Sequence, residues 1–276
     1  MTVINKYPCQ TKKSNKEFFK RKDQELTNLD WAKWAGWFDT DGCFSKQKRK
    51  TQLGYQLFVK LQLKDRQPTE LFSDMFETSL VYQEADTITP NGAKYISKMF
   101  KGSLSGPKAT WFTENVSPYL IKEEKREYAG VVLEDTVRSK DFNTWTKDEV
   151  THYLATVIEG DGTISGHFDS KSRKSIAIRI YSNDKQYLAN LISIAASKLN
   201  IDCKFRKSKT YQTKKGFVTM YELFIRCCKK TPVNIDFFRS LLKHNVMTLD
   251  RKKEKIQRFV NWFDTQKEKP ILESRV

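Results

Sequence analysis

WAGWFDTDG at residues 34–42 and LATVIEGDG at residues 154–162 decide the fold; they lie 120 positions apart. Each is an apolar run that closes on an acidic residue, a spacer, then Asp-Gly. Such runs suit helices, and Gly42 and Gly162 are placed to end them by taking a left-handed conformation. Asp41 and Asp161 then sit at the negative end of a helix dipole. One Asp-Gly after a helix is an ordinary turn, but a second in a matching context is a duplication.

Outward from the first motif, a helix is predicted from Asn28 or Asp30 to Gly42, followed by strands in CFSKQKRK (43–50) and GYQLFVKLQL (54–63). In the second of these, Tyr55, Leu57, Val59, Leu61 and Leu63 alternate with Gln56, Phe58, Lys60 and Gln62, the period of a strand with one packed face. Pro68 suits the first turn of a helix in PTELFSDMF (68–76). AKYISKMF (93–100) and KATWFT (108–113) are predicted as strands, and KEEKREYAGVVLEDTV (122–137) as a helix.

The same order recurs around the second motif. Thr146 and Glu149 form a capping-box signature that starts a helix in TKDEVTHYLATVIEGDG (146–162). Strands follow in TISGHFDS (163–170) and SIAIRIYS (175–182), a helix in KQYLANLISIAASKL (185–199), strands in IDCKFRKS (201–208) and TMYELFIRC (219–227), and a helix in LDRKKEKIQRFVNWF (249–263). The predicted class is α+β, two pseudo-symmetric αββαββα domains with antiparallel sheets. Residues 1–27 read as a basic arm, 28–140 as the first domain, 141–145 as a linker, 146–265 as the second domain and 266–276 as a tail.

Composition bounds the partners. The 276 residues are comfortable for two domains, and 38% hydrophobic residues suffice for packed interiors. Fifty Lys and Arg against 33 Asp and Glu give a formal charge of +17, spread along the chain, which calls for a polyanionic partner. No stretch approaches the roughly 18 apolar residues of a membrane span, so nucleic acid is favoured over a membrane surface. Five cysteines without CxxC spacing exclude zinc-finger and disulfide-scaffold readings, and the N-terminus has no apolar core of a secretory signal. His152, His167 and His244 lack catalytic partners, and there is no phosphate-cradling GxxxxGK loop. Two helix ends bearing Asp41 and Asp161, if paired, would repel unless divalent cations filled the gap; oxygen ligands suit Mg²⁺, Ca²⁺ or Mn²⁺ better than Zn²⁺.

Both motifs resemble the nine-residue LAGLIDADG motif of homing endonucleases, and the resemblance covers roughly residues 28–262. Trp34 replaces the leading Leu, Trp37 and Phe38 the Leu-Ile pair, and Thr156 a small glycine, which implies slightly wider packing of the second motif helix. The resemblance implies sheets shaped as saddles and cleavage of double-stranded DNA at a long site, with each strand cut at its own centre. The aspartates would face the minor groove and the products would carry short 3′ overhangs. Asp41 and Asp161, with backbone near Thr40 and Gly160, would hold Mg²⁺; Mn²⁺ would substitute, and Ca²⁺ would bind without supporting cleavage.

A basic residue before each closing helix would assist: Lys122 or Lys125, and Lys252 or Lys253, with Lys122 and Lys252 foremost. Asp65 and Asp184, aligned in LKDRQ and SNDKQ, would order water or cap the next helix. Asp39 and Glu159 would cap, hydrogen-bond or lie near phosphates. Outward strand residues would contact DNA: Lys46, Lys48, Lys50, Gln56, Lys60, Gln62, Lys94 and Lys98 in the first half, and Arg173, Lys174, Arg179, Lys204, Arg206 and Arg226 in the second. The unequal halves imply a monomer on a non-palindromic site; the resemblance implies an intron-encoded protein, and the Lys- and Asn-rich composition is compatible with an organelle, a bacterium or a phage-infected cell. An RNA-splicing maturase that binds intron RNA, or a non-cleaving DNA-binding protein of the same fold, is the alternative.

Overall fold

The computed structural model describes residues 2–4, 12–48, 55–88, 94–167, 174–213, 216–230 and 232–265. The chain divides into two units, Met1–Trp145 and Thr146–Val276. The first opens with β1 (Thr2–Ile4) and α1 (Lys12–Glu25), then runs α2 (Asn28–Thr40), β2 (Gly42–Lys48), β3 (Tyr55–Leu63), α3 (Arg66–Met75), β4 (Leu80–Ile88), β5 (Lys94–Ser105), α4 (Pro107–Val116) and α5 (Glu123–Leu133). Its antiparallel sheet has the order β1-β4-β5-β3-β2.

The second unit runs α6 (Lys147–Gly160), β6 (Gly162–His167), β7 (Ser175–Ser182), α7 (Lys185–Leu199), β8 (Cys203–Thr213), β9 (Gly216–Cys228), α8 (Ile235–Leu241) and α9 (Asp250–Thr265). Its sheet order is β6-β7-β9-β8, also antiparallel. Each unit therefore carries the αββαββα order with an extra helix before the last one. Within residues 1–27, read from the sequence as a basic arm, residues 12–25 form a helix. Phe18 and Phe19 of α1 pack on Trp111 at ring distances of 5.7 and 5.5 Å, and Asp23 accepts from the Trp111 indole at 2.9 Å.

Within the first unit one prediction is corrected and one strand is added. KATWFT belongs to α4, where Ala109, Phe112, Thr113 and Val116 are buried at the spacing of one helical face. Pro107 starts that helix and Gly106, at φ 57°, supplies the turn into it. Threonine and aromatic residues favour strands, and that preference hid the helical period. The strand partner of β5 is instead β4, LVYQEADTI, where Gln83 and Glu84 are both exposed and break the apolar alternation.

The two cores differ in chemistry. Phe38 packs on Phe112 at 4.8 Å and Phe72 on Phe76 at 4.9 Å, with Trp31 and Trp34 completing an aromatic cluster. The second core is aliphatic around Ile158, Ile178, Leu191, Leu223 and Ile225, with Phe238 and Phe259. Burying each such side chain contributes roughly 1.5–3 kcal/mol. In each sheet one face packs on helices. Phe44, Leu61 and Leu104 line it in the first unit, and Ile164, Ile178 and Ile225 in the second. The residues alternating with them lie on the opposite, open face.

Candidate active site

Each motif builds a half-site from the same parts. In the first unit α2 starts at Thr27, whose backbone N–H donates to Asp30 at 2.9 Å. The helix ends at Asp41, φ −113° and ψ −6°, whose N–H donates to the Trp37 carbonyl at 2.8 Å. In the second, Thr146 and Glu149 close a capping box at 2.6 and 3.1 Å, and α6 ends at Asp161 with φ −88° and ψ −6°. Both aspartates are half-exposed.

Gly42 and Gly162 are not left-handed, contrary to the sequence expectation. They are required for another reason: the strand starts at once and folds back over the last helical turn. A Cβ on Gly42 would lie 2.3 Å from the Phe38 ring, and one on Gly162 would lie 2.5 Å from the Ile158 carbonyl oxygen.

Asp39 and Glu159, two positions before the terminal aspartates, are buried and tie the motif helix to the closing helix of its unit. Asp39 accepts backbone N–H bonds from Ile121 at 2.7 Å and Lys122 at 3.3 Å. Glu159 accepts them from Thr248 at 2.6 Å and from Leu249. This matching pattern sets the internal register: Ile121 corresponds to Thr248, so Lys125 corresponds to Lys252. Pairing Lys122 with Lys252, as the sequence alone suggested, is off by one helical turn.

The lysines themselves bind backbone. Lys252 is buried at 5% exposure, and its Nζ donates to the carbonyls of Ile158 at 2.8 Å, Glu159 at 2.6 Å and Gly162 at 2.7 Å. An ammonium has three donors, so all three are directed at the helix end. Lys125 Nζ donates to Gly42 O at 2.5 Å and Lys122 Nζ to Asp39 O at 3.0 Å. Burial, then the neighbouring charge of Lys122, lowers the Lys125 pKa from its ordinary value. These cations offset the negative end of each motif helix, where the chain has also placed a carboxylate. Lys253 is half-exposed on α9 beside Lys252.

Asp65 and Asp184 both occupy the position before a helix, α3 and α7. The Asp184 carboxylate accepts from the Tyr187 N–H at 2.9 Å, which makes it a helix cap.

The expected DNA-contact residues divide by face. Lys60 lies on the open face of the first sheet, between Cys43 and Ser103, with Lys101 close by. Lys46 and Lys98 alternate in phase with Phe44 and Leu104 and so fall on the opposite face, where Lys98 is exposed. Lys46 pairs with Glu134 at 2.7 Å and Lys98 with Glu84 at 3.7 Å. In the second unit Arg179, Lys204, Arg206 and Arg226 share the open face, whereas Lys174 sits 5.5 Å from the Trp262 ring of α9. Lys50 and Arg173, and the side chains of Lys48, Gln56, Gln62 and Lys94, lie outside the described residues.

The open face of the second sheet also holds groups that the sequence reading passed over. Ser165, Glu222, Phe224 and Lys209 are among them, and a cavity of about 410 Å³ is lined by Tyr181, Ser208, Lys209, Tyr211 and Met220. Glu222 could have been picked out as the one carboxylate in a basic strand pair. Cys203 is half-buried and Cys227 buried, and burial pushes their thiol pKa values up to about 11 and about 12, away from the range of a reactive thiolate.

Among the described residues no three His, Cys, Asp or Glu side chains gather as a metal cage. Each half instead offers one half-exposed carboxylate at a helix end bearing backbone carbonyls. That set of hard oxygen donors fits Mg²⁺, which keeps several waters and needs only one or two carboxylates.

No family model and no curated protein matches the chain. Among solved structures it is similar to the LAGLIDADG meganuclease I-AabMI bound to uncleaved DNA, at 15% identity and TM-score 0.48, over 88% of this chain and 92% of that one. It is also similar to the homing endonuclease I-WcaI bound to its DNA recognition sequence, at 15% identity and TM-score 0.49, over 90% and 94%. The LAGLIDADG homing endonuclease I-GzeII in complex with a DNA target is similar at 13% identity and TM-score 0.49, over 88% and 92%.

Proposed function

We propose that the chain is a metal-dependent DNA endonuclease of the LAGLIDADG homing type, hydrolysing one phosphodiester in each strand of a long, non-palindromic site. The observation that carries this reading is the duplicated half-site. A carboxylate two residues earlier anchors the closing helix, a lysine caps the carbonyls, a glycine lets the strand double back, and an aspartate stands half-exposed at the helix end. Structural needs alone explain the first three. They leave Asp41 and Asp161 as the residues whose repetition calls for a reaction.

Asp41 and Asp161, with backbone at Thr40 and Gly160, would hold Mg²⁺. When bound, it would lower the pKa of a water and neutralise charge on the departing 3′ oxygen. The chain's own contribution is position. Asp39 and Glu159 fix the motif helices, and Lys125 and Lys252 balance their negative ends, so that each carboxylate is presented without rearrangement. Hydrolysis breaks the P–O3′ bond, the water oxygen stays on phosphorus, and a 3′ hydroxyl leaves. The basic open sheet faces, with Lys60 and Lys101 in one unit and Lys204 and Arg226 in the other, suit the major groove.

The test is cleavage of a plasmid library carrying randomised duplex inserts, with Mg²⁺, Mn²⁺, Ca²⁺ or EDTA. Double-strand breaks with short 3′ overhangs in Mg²⁺ and Mn²⁺, and intact bound DNA in Ca²⁺, are expected. Binding without cutting in every metal would transfer the reading to a non-cleaving DNA-binding protein or an RNA-splicing maturase.

A further inference from the structure

Glu222 is 6% exposed, although it lies on the open, basic face of the second sheet. Two arginines cover it. Arg206, directly opposite on β8, grips it with two bonds, Nη2 to Oε1 at 2.9 Å and Nε to Oε2 at 3.2 Å. Arg179 on β7 approaches from the other side, Nε to Oε1 at 3.2 Å, and its Nη1 donates to Ser165 Oγ at 2.7 Å. Phe224, two residues on, packs under both guanidinium groups at 5.2 and 4.6 Å. All four strands of the sheet contribute.

A surface that only holds phosphates gains from every cation and loses from every carboxylate, since its attraction for the duplex scales with charge. A carboxylate between two arginines therefore works against sequence-independent binding. It fixes the plane of each guanidinium, which a phosphate held by charge attraction alone does not need and a bidentate contact to a base edge does. Half of the Arg206 side chain and a third of Arg179 remain exposed, so donors on each fork still face solvent.

We propose that Glu222 is a positioning residue that holds Arg179 and Arg206 as a preset pair reading guanine through O6 and N7 in the major groove. The inference rests on the DNA-binding reading above and adds to it which bases one half of the site requires. Guanine is the match because two parallel acceptors on one base edge fit a guanidinium fork.

Selection of duplexes from a fully randomised pool, in EDTA, followed by sequencing, tests this on the full chain. The parent is expected to enrich guanine at fixed positions. Glu222→Gln keeps the shape and removes the charge. It is expected to lose most of that enrichment at one or two positions, while binding non-specific duplex at least as tightly and with a steeper salt dependence. Arg206→Lys, a change at an exposed side chain, keeps the charge and loses the fork; it should lose the same guanine with an unchanged salt slope. If Glu222→Gln and Arg206→Lys recover the parental base preferences, the network is structural and the proposal falls while DNA binding stands. If the parent enriches sequences without guanine, the proposal likewise falls. If the parent retains no duplex at all, the DNA-binding reading falls with it.

Discussion

Asp39 and Glu159 differ by one methylene, yet each reaches two consecutive backbone N–H groups at the start of a closing helix. Their repetition is structural, whereas for that of Asp41 and Asp161 we propose a role in catalysis. Gly42→Ala and Gly162→Ala are each expected to lower stability by about 2–3 kcal/mol in urea titration, because the new methyl meets the last helical turn at 2.3 and 2.5 Å. Lys252→Met should cost roughly 3 kcal/mol by the same measurement, since three helix-end carbonyls lose a buried cation, and Lys122→Met clearly less.

Lys125 gives a pH signature. Its folded pKa lies below the unfolded value of 10.5, chiefly through burial, so between those two values the unfolded chain holds the extra proton. Stability contributed by this group accordingly rises with pH across that window and is lowest below it. Lys125→Met should flatten that rise, visible as a shrinking difference between parent and variant denaturation midpoints as pH falls. Residues of this kind were half legible: acidic and basic types could be named, but which lysine matched which depended on the register set by Asp39 and Glu159.

At the scale of elements, the motif helices and the strands after them could be read because their signals are local. Capping residues, a long apolar run and strict alternation each need only a few neighbours. KATWFT failed because aromatic residues on a helix face look like strand formers until their packing on Phe38, Phe72 and Phe76 is known. The helix α1 was hidden in a basic stretch because, among its described residues, the apolar side chains that pack inward are Phe18 and Phe19, onto Trp111, and the other buried one is a lysine, Lys22. Phe112→Ala is expected to cost about 3–5 kcal/mol, as a fully buried ring in a five-membered aromatic contact set. Thr146→Ala, which removes only a helix cap, should cost about 1 kcal/mol. A thermal melt of both variants would rank them.

For the whole molecule, duplication is the informative feature. Two units share the order of elements and the construction of the motif end, yet one core is aromatic and the other aliphatic. What diverged is packing, which many residue combinations can satisfy. What stayed is the aspartate at each helix terminus and the anchors that hold it. The open sheet faces diverged too, as the proposed function expects of surfaces that match two unequal halves of one DNA site. Lys46 and Lys98 are lysines in strands too, but they lie on the other face of their sheet and pair with glutamates.

We propose that Asp41 and Asp161 serve catalysis and not folding. The most direct measurement takes a duplex cut by the parent in Mg²⁺ and compares Asp41→Asn and Asp161→Asn for binding and for double-strand cleavage. Both variants are expected to melt and bind like the parent, and neither to make double-strand breaks. Normal cleavage by either variant, or loss of folding and binding together with cleavage, would contradict it.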